Sequence, residues 1–179
     1  MTNTPKKVLV IDDSRVIRMR VREMMPQEGL ELLEARDGIE GMTLIRQHHP
    51  NLVLLDFILP KMGGWEVFQK IQQDASLQTM ALVVMSGRKE EVVEKVPEPF
   101  DYFAFVAKPF EKSELFEAIR QATRLAAERA KRQQISAVPR PVSADVEARV
   151  RTLEMEVAQL KQELQALRTW VQDRLSQAP

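Results

Sequence analysis

The feature that most constrains the fold of this sequence is an unbroken apolar run, Leu52–Leu55, that ends in the carboxylate of Asp56. A short apolar run without polar alternation is typical of a strand buried on both faces, as in a parallel sheet covered by helices. The strand pattern does not continue beyond Asp56, because Pro60, Gly63 and Gly64 follow. We therefore expect Asp56 at the C-terminal end of a buried strand, at the edge of the sheet where ligands collect in α/β proteins.

Three further apolar runs end in polar residues that would meet at the same edge. Val8–Ile11 precedes Asp12 and Asp13, Ala81–Met85 precedes Ser86 and Gly87, and Tyr102–Val106 precedes Ala107, Lys108 and Pro109. The sequence thus predicts a site that contains three carboxylates, a hydroxyl and an ammonium. Crowded carboxylates repel one another, which raises at least one pKa unless a cation shares the site. Mg²⁺ is a cation that such oxygen-only ligands suit.

A recognisable set of residues emerges from these strand ends. Its members are Asp12, Asp13, Asp56, Ser86-Gly87, Phe105 and Lys108-Pro109. The set resembles the receiver domain of bacterial two-component response regulators, and the resemblance covers residues 1–125. It implies a doubly wound, five-stranded parallel sheet of the flavodoxin-like kind.

The resemblance also implies the chemistry of the site. Asp56 would be the phosphoacceptor, and Mg²⁺ would be held by Asp12, Asp13, Asp56 and the backbone carbonyl of Ile58. The phosphoryl group would come from a histidine kinase or a phosphotransfer protein. The chain would not be an enzyme beyond its own phosphorylation and slow autodephosphorylation at Asp56.

Three more residues take roles by the same resemblance. Lys108 would pair with the phosphoryl group, and Ser86 and Phe105 would form a switch that responds to it. Two departures from the family pattern lie away from the reacting atoms: Leu59 replaces a frequent methionine, and Gly63 a frequent aspartate.

Composition narrows the class of protein further. The formal net charge is zero, which gives no overall attraction to nucleic acid or anionic lipid. The chain has no cysteine, which removes disulfide and zinc-thiolate sites. The N-terminus has too few apolar residues before Asp12 for a signal peptide or a membrane span. We therefore expect a cytoplasmic protein without a membrane partner.

Helices are predicted between and after the strands. The predicted helices run from the cap Ser14 to Met25, Ile39–Gln47, Trp65–Ala75, Lys89–Val96 and Glu111–Gln134, and Leu30–Ala35 is a further strand. The pair His48-His49 at a helix end is assigned no function.

Two basic stretches have alternative explanations. Arg15, Arg18, Arg20 and Arg22 lie on the first helix. On charge alone they form a solvated face, whereas the receiver resemblance makes that helix a docking surface for the kinase. A second basic stretch, from Arg124 to Arg140, is interpreted as a solvated helix extension rather than a nucleic-acid contact, because no recognition motif accompanies it.

The C-terminal part of the sequence predicts a helical element that is separate from the receiver. A basic extension and a proline-containing linker occupy residues 126–145, and residues 146–175 carry an unbroken heptad pattern. The a positions are Val150, Val157, Leu164 and Val171, and the d positions are Val146, Leu153, Leu160 and Leu167. β-branched residues at a and leucine at d favour a parallel two-stranded coiled coil, which would make the protein a homodimer. The alternative is an amphipathic helix folded back on the receiver.

The function predicted on these grounds is that of a response regulator in a phosphorelay, which signals through protein–protein contacts. No helix-turn-helix pattern follows the linker, so direct DNA binding is not expected. Alternatives remain open: a phosphotransfer intermediate or phosphate sink without its own output, or an assembly scaffold tuned by phosphorylation. A nucleotide- or flavin-binding domain is disfavoured because no glycine-rich loop follows the first strand.

Overall fold

The chain divides into two units in a computed structural model, Met1–Ile135 and Ser136–Pro179. The structure describes residues 5–96 and 98–137, together with 149, 152–159, 161 and 165. Within those residues, every strand belongs to the first unit.

A five-stranded parallel sheet organises the first unit. Its strands are β1 (Lys6–Ile11), β2 (Leu30–Ala35), β3 (Leu52–Asp56), β4 (Ala81–Ser86) and β5 (Ala104–Ala107). They lie in the order β2-β1-β3-β4-β5. Strand β3 is central and all its residues are buried, as its lack of polar alternation predicts.

Five helices cover the two faces of this sheet. They are α1 (Arg15–Met24), α2 (Gly38–His48), α3 (Gly64–Gln73), α4 (Lys89–Lys95) and α5 (Lys112–Ala137). Helices α1 and α5 pack on one face, and α2, α3 and α4 pack on the other. Alternate residues of each strand supply the two cores, so that Leu54 faces α1 and α5 while Leu55 faces α2 and α3. Each such fully buried side chain contributes about 1.5–3 kcal/mol through removal from water.

Side-chain caps start two of the helices at the turns that lead from strands. The Ser14 hydroxyl accepts a hydrogen bond from the Ile17 amide at 3.5 Å at the start of α1. The Asp37 carboxylate accepts one from the Glu40 amide at 2.9 Å at the start of α2. Such caps satisfy amides that have no partner within the helix.

The predicted fifth strand, Tyr102–Val106, is wrong at its beginning, because β5 starts at Ala104. Phe103 lies outside the strand, although it is almost fully buried. Its ring stacks on Phe100 with centroids 4.6 Å apart and meets Phe68 of α3 edge-on at 5.4 Å. Phe103 therefore packs beneath α3 instead of extending the sheet.

Helix α5 continues past the last core residues of the domain and remains attached to it through Arg129. The Arg129 guanidinium donates hydrogen bonds to the carbonyls of Gln78 at 2.7 Å, Met80 at 3.0 Å and Asp101 at 3.2 Å. It also lies 5.7 Å from the centroid of the Tyr102 ring. The expectation of a wholly solvated extension is thus wrong at this residue. Burial lowers the pKa of Arg129 below its ordinary value.

Beyond the end of α5 at Ala137, the described residues of the second unit are helical and exposed. They are 149, 152–159, 161 and 165. Of the predicted coiled-coil positions, Leu153 and Val157 fall here, and about half of each residue's surface is exposed. The other predicted a and d positions lie outside the described residues. Among the described helices of both units, none combines the length and the apolar content needed to cross a bilayer.

The Arg129 contacts give a first testable outcome. We expect Arg129→Ala to lower the free energy of unfolding by about 2 kcal/mol, because three carbonyls lose a charged donor. Urea denaturation of the full chain measures this. Arg132→Ala, an exposed position on the same helix, is the matched control and should change stability by less than about 0.5 kcal/mol. Equal losses in the two variants would show that the contacts of Arg129 add nothing.

Candidate functional site

Three carboxylates meet at the C-terminal edge of the sheet. Asp12 directly follows β1, Asp13 comes next, and Asp56 is the last residue of β3. Their carboxylate oxygens include a set in which all lie within 4.8 Å of one another. Asp12 and Asp56 are buried, whereas Asp13 is exposed. The cluster is therefore open to solvent on the side of Asp13.

Lys108 brings a positive charge into this cluster from the end of β5. Its ammonium nitrogen lies 2.6 Å from Oδ2 of Asp12 and 2.8 Å from Oδ2 of Asp56. Its backbone amide donates to the Ser86 carbonyl at 2.8 Å, which ties it to the end of β4. One ammonium thus bridges two buried carboxylates from different strands.

The environment of Asp56 changes its acidity. Burial raises the pKa of the Asp56 carboxyl above its ordinary value, Lys108 opposes the rise, and the charge of Asp12 adds to it. The sequence predicted a raised pKa from repulsion among the carboxylates. The structure gives burial as the larger cause, since only 8% of the Asp56 side chain is exposed.

Backbone groups fix the two buried carboxylates. Oδ1 of Asp12 accepts from the Ser14 amide at 2.9 Å, and Oδ1 of Asp56 accepts from the Ile58 amide at 3.2 Å. The chain after Asp56 then passes very close to the start of α3. A Cβ at Gly64 would lie 2.2 Å from the Asp56 carbonyl oxygen, so only glycine fits there.

A second acidic residue holds the loop between β3 and α3 from the side of α2. The carboxylate of Asp37 is buried and accepts a hydrogen bond from the Lys61 ammonium at 2.6 Å. A Cβ at Gly38 would lie 2.2 Å from the Met62 carbonyl, so the loop and the start of α2 are in close contact. Sequence reasoning assigned Asp37 and Gly38 only to a turn. No spacing rule connects that turn to Lys61, so this contact was missed.

Ser86 and Phe105 lie on neighbouring strands beside the cluster. The Ser86 hydroxyl is buried, donates to the Arg88 carbonyl at 3.2 Å and accepts from the Arg88 amide at 3.1 Å. Phe105 is partly buried, with its ring centroid 6.2 Å from that of Phe100. The Lys89 ammonium stands 6.0 Å from the centroid of the Phe105 ring. The two side chains lie where β4 and β5 meet the start of α4.

The arginines of α1 do not form one solvated face. Arg18 and Arg22 both pair with Glu34 of β2, and Arg20 pairs with Glu111 before α5. Arg18 is the most buried of these three, since only 15% of its side chain is exposed. The helix is thus joined by ion pairs to elements on both of its sides.

A family comparison accounts for this arrangement. The family model described as the response regulator receiver domain matches residues 8–120. The chain belongs to this family. Receiver domains accept phosphoryl groups, interact with histidine kinases or phosphotransfer proteins, and bind Mg²⁺ at an acidic pocket. Asp12, Asp13 and Asp56 offer this receiver a matching set of oxygen ligands, so the donor chemistry fits the ion.

Individual relatives agree with the family. A probable transcriptional regulator ycf27 of Cyanophora paradoxa is 33% identical over 119 residues, which are 66% of this chain and 48% of that protein. The chain thus spans about half the length of that relative. The polar-differentiation response regulator DivK of Brucella ovis is 28% identical over 64% of this chain and 94% of its own. A signal receiver domain of an HD domain-containing protein from Pseudomonas fluorescens Pf-5 shares the fold, with a TM-score of 0.63 at 22% identity over 74% of this chain and 96% of that chain.

The raised pKa of Asp56 makes the stability of the folded chain depend on pH. Below the ordinary pKa of 3.8 the carboxyl is protonated in both the folded and the unfolded chain and adds no pH dependence. As the pH rises from 3.8 through the raised pKa, the unfolded chain releases this proton more readily than the folded chain does. The free energy of unfolding therefore falls over this range.

We therefore expect Asp56→Asn to be more stable than the wild type at neutral pH in chelator. The advantage should shrink as the pH falls toward 4, because the wild-type carboxyl becomes neutral as well. Thermal denaturation between pH 4 and pH 8 measures it. Asp13→Asn removes the same charge from an exposed position and serves as the control, with a smaller gain. A lower midpoint for Asp56→Asn at pH 8 would contradict the expectation.

Proposed function

We propose that this protein is a response regulator that accepts a phosphoryl group on Asp56 and signals through protein–protein contacts. One observation carries the proposal: a buried carboxylate with a raised pKa is grouped with two other carboxylates and a lysine ammonium at the strand ends. An acidic pocket of this kind opposes a negatively charged donor unless cations neutralise it. Lys108 supplies one fixed positive charge.

The proposed step is a displacement at phosphorus. An oxygen of the Asp56 carboxylate attacks the phosphorus of a phosphohistidine on the partner. The new O–P bond forms as the N–P bond of the donor breaks, and the released imidazole nitrogen takes a proton from solvent. The contribution of this domain is to position the nucleophile and to stabilise the transferring charge.

Several residues of this chain share those tasks. Asp12, Asp13, Asp56 and the carbonyl of Ile58 would hold Mg²⁺, which when bound neutralises phosphoryl oxygens. Lys108 would exchange its contact with Asp56 for one with the phosphoryl group, while its contact with Asp12 keeps it in place. The pairing of the Ile58 amide with Asp56 leaves the opposite carboxylate oxygen, Oδ2, to Lys108.

Ser86 and Phe105 are the proposed switch. The Ser86 hydroxyl would give up its bonds with the backbone of Arg88 to reach a phosphoryl oxygen. Phe105 is only partly buried and packs beside Phe100, so space vacated near Ser86 could receive its ring. The change would alter the surface formed by α4, β5 and α5, which is a two-state element biased by a local charge event.

The domain arrangement is part of the proposal. Residues 1–125 would form the receiver, residues 126–145 an extension and linker, and residues 146–175 a parallel coiled coil that makes a homodimer. Helical, exposed residues at 152–159 support it, since Leu153 and Val157 present apolar surface that a second copy would cover. The seam would supply the stability, and the flanking charges would select the parallel orientation.

The proposed function also implies which molecules the protein binds. A histidine kinase or a phosphotransfer protein of the cytoplasm would dock near α1 and donate the phosphoryl group. We expect neither direct DNA binding nor a membrane partner. The DivK relative, a response regulator matched over 94% of its length, supports a response regulator that consists mainly of a receiver. It also keeps open the alternative of a phosphotransfer intermediate without output of its own.

Intact mass spectrometry tests the phosphoacceptor. Incubation with acetyl phosphate and Mg²⁺ should add a single phosphoryl mass to the wild type and none to Asp56→Ala. An excess of chelator should abolish the addition, because the carboxylates then repel the donor. Asp74→Ala, which alters an exposed acid outside the cluster, is the control and should be labelled normally. Full labelling of Asp56→Ala would refute the assignment.

Light scattering tests the dimer. The full chain should have the mass of two copies, and a chain ending at Gln134 the mass of one. Leu153→Glu together with Val157→Glu should give the monomer mass, because charges replace seam residues. Met155→Glu is the matched control: this residue is also apolar and exposed but lies off the predicted seam, so the dimer should survive. A monomeric wild type would reject the coiled coil.

A further inference from the structure

Arg18 connects α1 directly to the turn that carries two of the clustered acids. One of its terminal nitrogens, Nη1, donates to the backbone carbonyl of Asp12 at 2.7 Å and to that of Asp13 at 3.3 Å. A single guanidinium therefore contacts the peptide groups of both residues. Neither contact uses a carboxylate, so the acids keep their side-chain oxygens for other partners.

Glu34 of β2 holds this guanidinium in place. Its Oε2 accepts from Nε of Arg18 at 3.2 Å, while its other oxygen, Oε1, accepts from Nε of Arg22 at 2.9 Å. Burial by itself would raise the pKa of Glu34, but the hydrogen bonds from Arg22 and Arg18 outweigh it and leave the pKa below its ordinary value. Glu34 is thus ionised at neutral pH and can orient Arg18 permanently.

The geometry of the turn determines where the carboxylates of Asp12 and Asp13 can reach. Each has a short side chain with two rotatable bonds, so a small rotation of its peptide group moves the carboxylate relative to Asp56. Groups that orient the ligands of a metal without touching it commonly change metal affinity by 10- to 100-fold when they are removed. Arg18 has the contacts of such a group, and its planar fork fits two acceptors and a carboxylate at once.

We propose that Arg18, oriented by Glu34, is a positioning residue that fixes the turn of Asp12 and Asp13 and thereby sets the Mg²⁺ affinity of the acidic cluster. The proposal rests on the function proposed above, because it concerns the affinity of the same pocket. It assigns the partly buried Arg18 of α1 to the cation site, whereas among the described residues the side chain of Arg22 pairs with Glu34 alone.

The charge of Arg18 and its backbone contacts should affect the Mg²⁺ affinity in opposite directions, so the two effects can be separated. Loss of a nearby positive charge would strengthen Mg²⁺ binding, whereas loss of the backbone contacts would weaken it. The double variant Arg18→Gln/Glu34→Gln removes one charge of each sign and so isolates the positional effect.

The experiment compares Arg18→Gln with Arg22→Gln in the full chain. Both variants remove one charge from α1 and one partner of Glu34, but only the first loses the carbonyl contacts. Mg²⁺ alone is titrated at about 0.15 M salt, where charges are screened beyond about 8 Å. The fluorescence of Trp65 is the readout, in a Trp170→Phe background. Labelling by acetyl phosphate at saturating Mg²⁺ is measured in parallel.

We expect the Mg²⁺ dissociation constant to rise about 10-fold in Arg18→Gln and in the double variant, and to stay within about 2-fold in Arg22→Gln. The labelling rate at saturating Mg²⁺ should change by less than about 2-fold, since the reacting groups are intact once the ion is bound. Arg18→Lys should recover part of the affinity, because an ammonium can still donate to one carbonyl.

Two results would overturn the proposal. An unchanged dissociation constant in Arg18→Gln, even with a lower melting temperature, would make Arg18 only a structural residue. Equal weakening in Arg22→Gln, which keeps the carbonyl contacts of Arg18, would show that those contacts do not set the affinity. If the wild type bound no Mg²⁺ and took up no phosphoryl group, the proposed function would fail together with this inference. If the wild type bound Mg²⁺ and took up a phosphoryl group, and Arg18→Gln had the same dissociation constant, this inference alone would be refuted.

Discussion

The bridge from Lys108 to Asp12 and Asp56 is the interaction on which the arrangement of the site depends. Two carboxylates are buried at neighbouring strand ends, and burial of an isolated charge is strongly unfavourable. The single ammonium between them reduces that cost but does not remove it, since the pKa of Asp56 remains raised. The cluster therefore retains unfavourable negative charge. A divalent cation or a change at Asp56 can relieve it.

The rest of the framework fixes the loops that carry these charges. Arg18 is bonded to the turn after β1, and the pair of Asp37 and Lys61 holds the loop after β3. Gly64 allows the start of α3 to approach the Asp56 carbonyl. Each contact joins a helix or its flanking turn to a strand end. Groups outside the acidic cluster thus hold the loops that surround it.

The sheet and most helices could be predicted from the sequence, because buried parallel strands have a simple pattern. The run Leu52–Asp56 matches β3 residue for residue, and Leu30–Ala35 matches β2. The beginning of β5 could not be placed, because an aromatic run suits a strand and a buried cluster equally well. Packing of Phe103 between Phe68 and Phe100 decided that point.

The sequence by itself determined that Asp12, Asp13, Asp56, Ser86 and Lys108 would lie at one edge, since parallel strands all present their carboxyl ends there. Only the tertiary structure decided which groups pair across that edge and what holds them. Arg18 and Arg22 look alike in the sequence and both reach Glu34 of β2, but it is Arg18 whose guanidinium also folds back onto the carbonyls of Asp12 and Asp13. Arg129 likewise differs from the exposed Arg132 because only its side chain reaches the carbonyls before β4 and β5. Charge and periodicity are local properties, whereas contacts between distant segments depend on how the helices dock on the sheet.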